Sequence, residues 1–330
     1  MSPAEARALY FLRPGAVEVR RETLRPAAGQ VRVRSRLMGV SHGTELLAFR
    51  GELPAGLAAD ETLSSLAGSL AYPLKYGYIN CGVVDEPGGK RVFAFYPHQD
   101  LFYADPGELL ALPDEVSDED AVFLPNLETS LGIVHDAAPR FGERVLVLGL
   151  GVVGLLTCEL LSRAGAGAIL AVEPHAPRRQ AAARLGCQVF SPEEPKLRER
   201  IVELTAGRGP DLAINSSGSA AGLQLALDTL AAEGTLVEAS WYGSKRVSLE
   251  LGRAFHRRRL RLVSSQVSSL AGALTPRWDK RRRLELALEL LGTIRPSRYI
   301  THRFPLERAQ EAFELIDRHP EQVLQVVLEA

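Results

Sequence analysis

The spacing of hydrophobic and polar positions changes part-way along the chain. In "VRVRSRL" (31–37) apolar and polar residues alternate, which is the period of a half-buried strand. "RVFAFYPH" (91–98) and "DLFYAD" (100–105) have the same texture. Few stretches before residue 115 carry a helical period, so this half is predicted to be mainly β. Residues 52–73 are rich in Ala, Gly, Leu and Ser, with proline at each end. They read as a surface excursion of low complexity, a candidate for a partly helical lid.

Near Asp118 the pattern becomes an alternation of buried strand and helix. "RVLVLGLGVVGLLTCELLSRAGA" (144–166) predicts strand, glycine turn and helix, and "AILAVEP" (168–174) a second strand. "PRRQAAARLG" (177–186) predicts a helix that stops at Gly186. "CQVF" predicts a short strand and "PKLRERIVELTAG" (195–207) a helix. "PDLAINSSG" (210–218), "GTLVEASWYG" (234–243) and "RLRLVSS" (259–265) supply further strands. Apolar runs separated by helices mark a parallel sheet covered on both faces. The last segment, "YITHRFPLERAQEAFELIDRHPEQVLQVVLEA", predicts strand, helix, strand.

"GLGVVG" (149–154) is a G-x-G-x-x-G turn after the strand "RVLVL" and at the head of an apolar helix. Glu173 ends the next strand, at the distance where a dinucleotide site carries its ribose-binding acid. Gly149 permits the tight turn, Gly151 lets backbone approach a pyrophosphate, and Gly154 lets helix and strand pack closely. Val152 and Val153 open the helix whose N-terminal N–H groups would face the phosphates. The other reading is a tight βα turn with no ligand. A carboxylate at Glu173 favours NAD and repels the extra phosphate of NADP. Arg178 and Arg179 pull towards NADP, or simply form an exposed helix face. NAD is the expected cofactor.

Composition narrows the class. A chain of 330 residues exceeds one typical domain, so two are expected. Hydrophobic residues make up 46% and charged residues 24%, within the ordinary globular range. No run of about 18 apolar residues occurs, and the first residues lack the basic and apolar regions of a secretory signal. A cytoplasmic protein without a membrane span is expected. A net charge of −1 argues against a nucleic-acid partner. Cys81, Cys158 and Cys187 are too few for a disulfide framework or a four-cysteine zinc site.

The order of parts resembles the medium-chain dehydrogenase/reductase superfamily of zinc alcohol and polyol dehydrogenases. The pieces that carry the likeness are "GVSHGTELLAFRG", "YGYINCGVV", "LETSLGIVHDA", "GLGVVG" and "THRFPLERAQEAFE", and it spans essentially the whole chain. The S-x-G-T-E form of the first piece resembles a subgroup with the bacteriochlorophyllide hydroxyethyl dehydrogenases. The resemblance implies an α/β fold: a doubly wound Rossmann sheet over 123–292, and a β-rich GroES-like catalytic domain from 1–122 and 293–330. It also implies a homodimer.

In the family, zinc ligands come from G-[IV]-C-x-[ST]-D and G-H-E-x-x-G, and in polyol dehydrogenases from the Glu of E-P-L-x-V-x-x-H. Matched onto this chain, these positions are Ser41, Tyr78 and Glu128, the last with His135 seven residues on. Thr44 matches the proton-relay hydroxyl and Glu45 its acidic neighbour. Ser41 and Tyr78 are poor zinc ligands at neutral pH, so no zinc is expected. The alternative is a different metal site built from His42, Glu45 and Glu128.

Without zinc, a general acid/base or an oxyanion donor must stabilise the alkoxide from which hydride leaves. Tyr78 is the first candidate for proton donor or orienting hydroxyl, a phenol serving if its pKa is lowered, and otherwise is a packed aromatic. Ser41 and Thr44 could bond the substrate oxygen or cap the helix of "TELLAFRG". His42 could be a base or a surface loop histidine. His98, in "FYPHQD", precedes a strand that in the family returns to the substrate cleft. Glu128 could pair with a neighbouring donor or be a buried structural carboxylate. Trp241 and Tyr242 could wall a planar substrate or be ordinary packing. Ser217, and Gln266 in "SSQV" (264–267), complete the cofactor set implied by the family. The basic runs "RAFHRRRLR" (253–261) and "KRRR" (280–283) read as solvated faces rather than a grip on an anionic substrate.

These residues predict a zinc-independent, NAD(H)-dependent oxidoreductase. It would move hydride to or from a carbinol or ketone carbon of a medium-sized small-molecule substrate. Reduction of an activated C=C bond, and a retired nucleotide-binding protein, are the competing readings.

Overall fold

The computed structural model describes residues 3–54, 69–86 and 88–330. The segment predicted as a lid (52–73) falls largely outside them. The chain divides into two compact units, one of residues 1–125 with 288–330 and one of 126–287.

The first unit is β-rich. The strands β1 (Ala4–Arg13) and β2 (Ala16–Leu24) form an antiparallel hairpin, to which β4 (Leu74–Lys75) adds. A second sheet runs β15 (Ile300–Pro305), β16 (Gln325–Glu329), β3 (Val31–Gly39), β5 (Asn80–Val84), β6 (Arg91–Ala94) and β8 (Leu110–Ala111), with β7 (Leu101–Ala104) also on β3. The alternation read at 31–37 holds: Val33, Ser35 and Leu37 are buried while Arg34 and Arg36 are exposed. The helices α1 (Thr44–Arg50) and α9 (Ala309–Arg318) share one apolar core with the hairpin. Phe313 sits at its centre, edge-on to Phe11 at 5.1 Å and stacked on Phe49 at 5.5 Å.

The second unit is a six-stranded parallel sheet. Its order is β11 (Gln188–Phe190), β10 (Ala168–Val172), β9 (Arg144–Leu148), β12 (Leu212–Asn215), β13 (Thr235–Glu238), β14 (Arg261–Ser264). The chain order reverses between β9 and β12, the doubly wound pattern with its ligand crevice at the reversal. The helices α4 (Val152–Arg163), α5 (Ala176–Arg184), α6 (Leu197–Leu204) and α7 (Ala220–Thr229) connect these strands. β9, β10 and β12 are almost wholly buried, as their apolar runs predict. β14 differs: it ends the sheet, all four of its residues are exposed, and Leu262 and Val263 face outward. Among the described residues no helix is long and apolar enough to cross a membrane.

Replacing Phe313 with alanine removes the ring that joins β1, α1 and α9. It is expected to cost about 3–5 kcal/mol, read as a lower urea midpoint for the transition of this unit.

Candidate active site

β3 ends at Gly39, and the chain turns through Ser41 to the head of α1. Gly43, not Thr44, is the N-cap residue, and no side chain caps the helix. The Thr44 hydroxyl bonds Tyr78 instead, which corrects the capping role read from the sequence. The Tyr78 hydroxyl donates to Ser41 Oγ at 2.6 Å. The two positions that carry cysteine and histidine in the zinc enzymes are therefore hydrogen-bonded to one another. His42 lies beside them, half-buried in the turn.

Behind this cluster lies a buried acid. Glu45 is fully buried; one carboxylate oxygen accepts from the Ser41 backbone N–H at 3.0 Å, and the other meets His98 Nε2 at 2.8 Å. His98 is also fully buried. Gly77 makes its seat. A Cβ there would stand 2.5 Å from the imidazole Cδ2, and the φ of +113° is one that L side chains rarely adopt. The sequence named Glu45 and His98 separately and missed that they pair.

Tyr78 does not meet the condition of a lowered pKa. Burial, then the Glu45 charge, push its phenol up to about 12, against the opposing hydrogen bonds to Ser41 and Thr44. A deprotonated phenol would be a second anion in a poorly solvated place beside Glu45. Tyr78 therefore stays protonated at neutral pH and is a donor, not a base.

The donor set does not fit zinc. Ser41 and Tyr78 offer neutral hydroxyls already bonded to each other, and Glu45 is fully buried against His98 and the Ser41 amide. Glu128, on α3 (Leu124–Ala137), is held in the other unit by Arg283 at 3.0 Å, so its charge is answered there. Among the described residues no three His, Cys, Asp or Glu side chains could hold a metal ion. The alternative site of His42, Glu45 and Glu128 is thus not assembled from free donors.

The dinucleotide fingerprint has the geometry its glycines predict. Gly149 has φ +86°, and a Cβ on it would lie 2.7 Å from the Ser217 Cα. A Cβ on Gly154 would lie 2.0 Å from the Gly149 carbonyl oxygen. Gly151 is open, with nothing within 4 Å of its Cβ direction, so backbone there is accessible to a ligand. Gly151 is the N-cap of α4, and the first turn leaves the N–H groups of Val152, Val153 and Gly154 without acceptors inside the helix. These residues fit a pyrophosphate.

Glu173 is buried, and its two oxygens accept from the Leu150 and His175 N–H groups at 2.8 and 3.0 Å. Each oxygen keeps a second lone pair, so the carboxylate braces the glycine turn and can still accept a ribose hydroxyl. Arg179 donates to the carbonyls of Glu173 and Pro174, while Arg178 is half-buried next to it. Ser217 donates to Asn215, whose amide donates to Glu238. The Tyr242 hydroxyl donates to the same Glu238 oxygen at 3.2 Å, and burial and that charge push its pKa up to about 12. Trp241 is 45% exposed. Gln266 lies in the turn after β14 and bonds Ser268. The run 280–283 is not all solvated, because Arg283 is 1% exposed.

The fold is shared with alcohol dehydrogenases of known structure. Residues 152–288 match the family model described as zinc-binding dehydrogenase. The chain is 28% identical over 323 residues to D-guloside 3-dehydrogenase of Escherichia coli (strain K12), covering 91% of this chain and 92% of that enzyme. It is 26% identical over 231 residues to human sorbitol dehydrogenase, covering 69% of this chain and 60% of that enzyme. Among solved structures, an alcohol dehydrogenase from Thermus sp. ATN1 aligns with a TM-score of 0.75 and 25% identity over 98% of this chain and 99% of the other. The chain is an oxidoreductase, and these likenesses support the zinc-type alcohol dehydrogenase-like group of the medium-chain dehydrogenase/reductase superfamily.

His98→Ala strands the Glu45 carboxylate in the interior and is expected to cost ~3–5 kcal/mol. Glu45→Gln should cost less, since an amide removes the buried charge and can still accept a hydrogen bond. Denaturant unfolding of both variants checks the order.

Proposed function

We propose that this chain is a zinc-independent, NAD(H)-dependent dehydrogenase of a secondary carbinol in a sugar-like or polyol-like substrate. The observation that carries the reading is the Tyr78–Ser41 hydrogen bond of 2.6 Å, with Thr44 on the same phenol, at the positions where relatives place zinc ligands. The names of the relatives, a D-guloside 3-dehydrogenase and a sorbitol dehydrogenase, support the substrate class. The S-x-G-T-E loop likeness to bacteriochlorophyllide hydroxyethyl dehydrogenases points to the same functional group, a secondary carbinol. Glu173, with its spare lone pairs, favours NAD over NADP, although Arg178 lies close in sequence.

The cofactor, held by the 149–154 turn and Glu173, would supply the hydride acceptor. The chain's own part is to hold the carbinol oxygen and manage its proton. Tyr78 stays protonated through neutral pH, so in the reductive direction it can donate to the carbonyl oxygen, which becomes negative as hydride arrives, with the phenol's proton replaced from water; in oxidation the carbinol proton leaves to water by the same route. A pKa of about 12 is high for an acid but below that of an alcohol, whose nearest yardstick is water at about 15.7. A developing alkoxide is therefore a better proton acceptor than the Tyr78 phenolate. Ser41 and Thr44 fix the phenol's direction, and Glu45 raises its pKa without bonding to it.

Tyr78→Phe removes the donor and keeps the ring. It is expected to lower kcat by about 100- to 1,000-fold. The shape of the rate profile between pH 6 and 9 should not change, because the phenol does not titrate there. Metal analysis should give no stoichiometric zinc, and EDTA should leave the rate unchanged. A rate that follows bound zinc would overturn the zinc-free reading.

A homodimer is part of the same proposal. The outer edge of β14 is exposed with Leu262 and Val263 on it, a row of backbone groups that a second copy can pair with. Light scattering should return twice the 35.9 kDa of one chain; a value of one chain's mass removes the dimer.

A further inference from the structure

Arg283 opens α8 (Lys280–Ile294) in a run of basic residues, yet it is among the largest fully buried side chains described. Its Nε and Nη2 donate to Glu128 Oε1 at 3.2 and 3.0 Å. Its remaining donors do not go to a second acid. Nη1 donates to the Ser269 carbonyl at 3.3 Å and Nη2 to the Val267 carbonyl. Gly132, one turn beyond Glu128 on α3, leaves room for the guanidinium, since a Cβ there would come within 3.3 Å of Nη1. Buried Glu128 would by itself resist ionisation, and the arginine charge opposes that.

The segment that receives these bonds follows the carboxyl end of β14 and has no regular structure. Its other described bonds are local, chiefly Gln266 to Ser268 and Ser269. It belongs to the β12–β13–β14 half of the sheet. In a doubly wound sheet each half binds one mononucleotide, with the dinucleotide across the carboxyl ends at the reversal. Glu173 and the glycine turn lie in the β9–β10–β11 half and face the adenosine end. The loop after β14 therefore serves the nicotinamide end.

We propose that the buried Arg283–Glu128 pair positions the nicotinamide-binding loop: Glu128 fixes the guanidinium, and the guanidinium fixes the Val267 and Ser269 carbonyls. This rests on the dinucleotide reading above. An ion pair needed only for stability could be exchanged for two apolar side chains with little loss. What apolar side chains cannot supply is a rigid fork that holds two backbone carbonyls. Arg283 and Glu128 are positioning residues; they act through the loop and not on the substrate.

The test compares binding of NADH with binding of ADP-ribose, which lacks the nicotinamide, in the full-length protein. The double variant Arg283→Met/Glu128→Leu removes both charges and strands neither. It is expected to bind NADH roughly 10- to 100-fold more weakly, the scale of lost charged hydrogen bonds, with ADP-ribose affinity unchanged. Arg283→Lys keeps a cation beside Glu128 but loses the fork, and should weaken NADH selectively as well. Equal weakening of both ligands, or no change in either, would overturn the positioning role. Wild-type protein that binds neither ligand would overturn the dinucleotide reading and this inference with it.

Discussion

A carboxylate sealed from water must find its donors inside the protein, and Glu45 sets that constraint on the catalytic unit. Both of its oxygens are used, one by the Ser41 amide and one by His98. The first bond fixes where Ser41 presents its hydroxyl, and so where Tyr78 points its own. The second explains a glycine at 77, because an imidazole pressed on that backbone leaves no room for a side chain. The charge also reaches Tyr78 through space and helps keep its phenol protonated. One buried acid thus sets a backbone turn, a ring position and a protonation state.

The zinc enzymes of this superfamily place a hard positive charge where the alkoxide forms. At the matched positions this chain has bonded neutral hydroxyls, and the two arrangements differ in what they ask of the surroundings. A metal stabilises a developing anion directly but needs several ligands able to coordinate it. A phenol needs one well-placed acceptor, and must not ionise before the reaction. Burial and Glu45 meet the second requirement by raising the pKa. A base-type role would need the opposite shift. The acid that lowers the phenol's tendency to ionise is therefore consistent with a donor and inconsistent with a tyrosinate.

Much of the fold was legible because its causes are local. Alternation at 31–37 becomes β3, and apolar runs become buried parallel strands. Gly149 and Gly154 have the conformation or the crowding that their spacing implies, and Gly151 is open as a ligand approach requires. Ser41 and Thr44 both bond Tyr78, while Glu128, matched to the third ligand position, is bonded to Arg283 instead. What was hidden depends on contacts between distant residues. Glu45 and His98 are 53 positions apart, and nothing in either neighbourhood names the other. The direction of the phenol's pKa shift was not legible because burial is a property of the packed unit. Arg283 was read as solvated from its basic neighbours, yet the chain held a signal. Arg283, Ala287, Leu291 and Ile294 share one helical face, and the last three are the buried stripe of α8. A charge in register with such a stripe must have a partner inside.

Two buried glutamates, one in each unit, are handled differently. Glu45 accepts from the Ser41 amide and meets a His98 ring nitrogen. Its charge is felt by Tyr78. Glu128 faces a guanidinium, which cancels its charge and then extends two further bonds to a loop. The first acid acts electrostatically on a neighbour; the second is neutralised and acts mechanically. This division follows from the partner and not from the acid, since both side chains are the same. In the polyol dehydrogenases the position matched to Glu128 is a metal ligand; here its Oε1 accepts from Arg283. The bond of this carboxylate to Arg283 and the bonded hydroxyls at positions 41 and 78 lie in separate units, and each orders the chain around it.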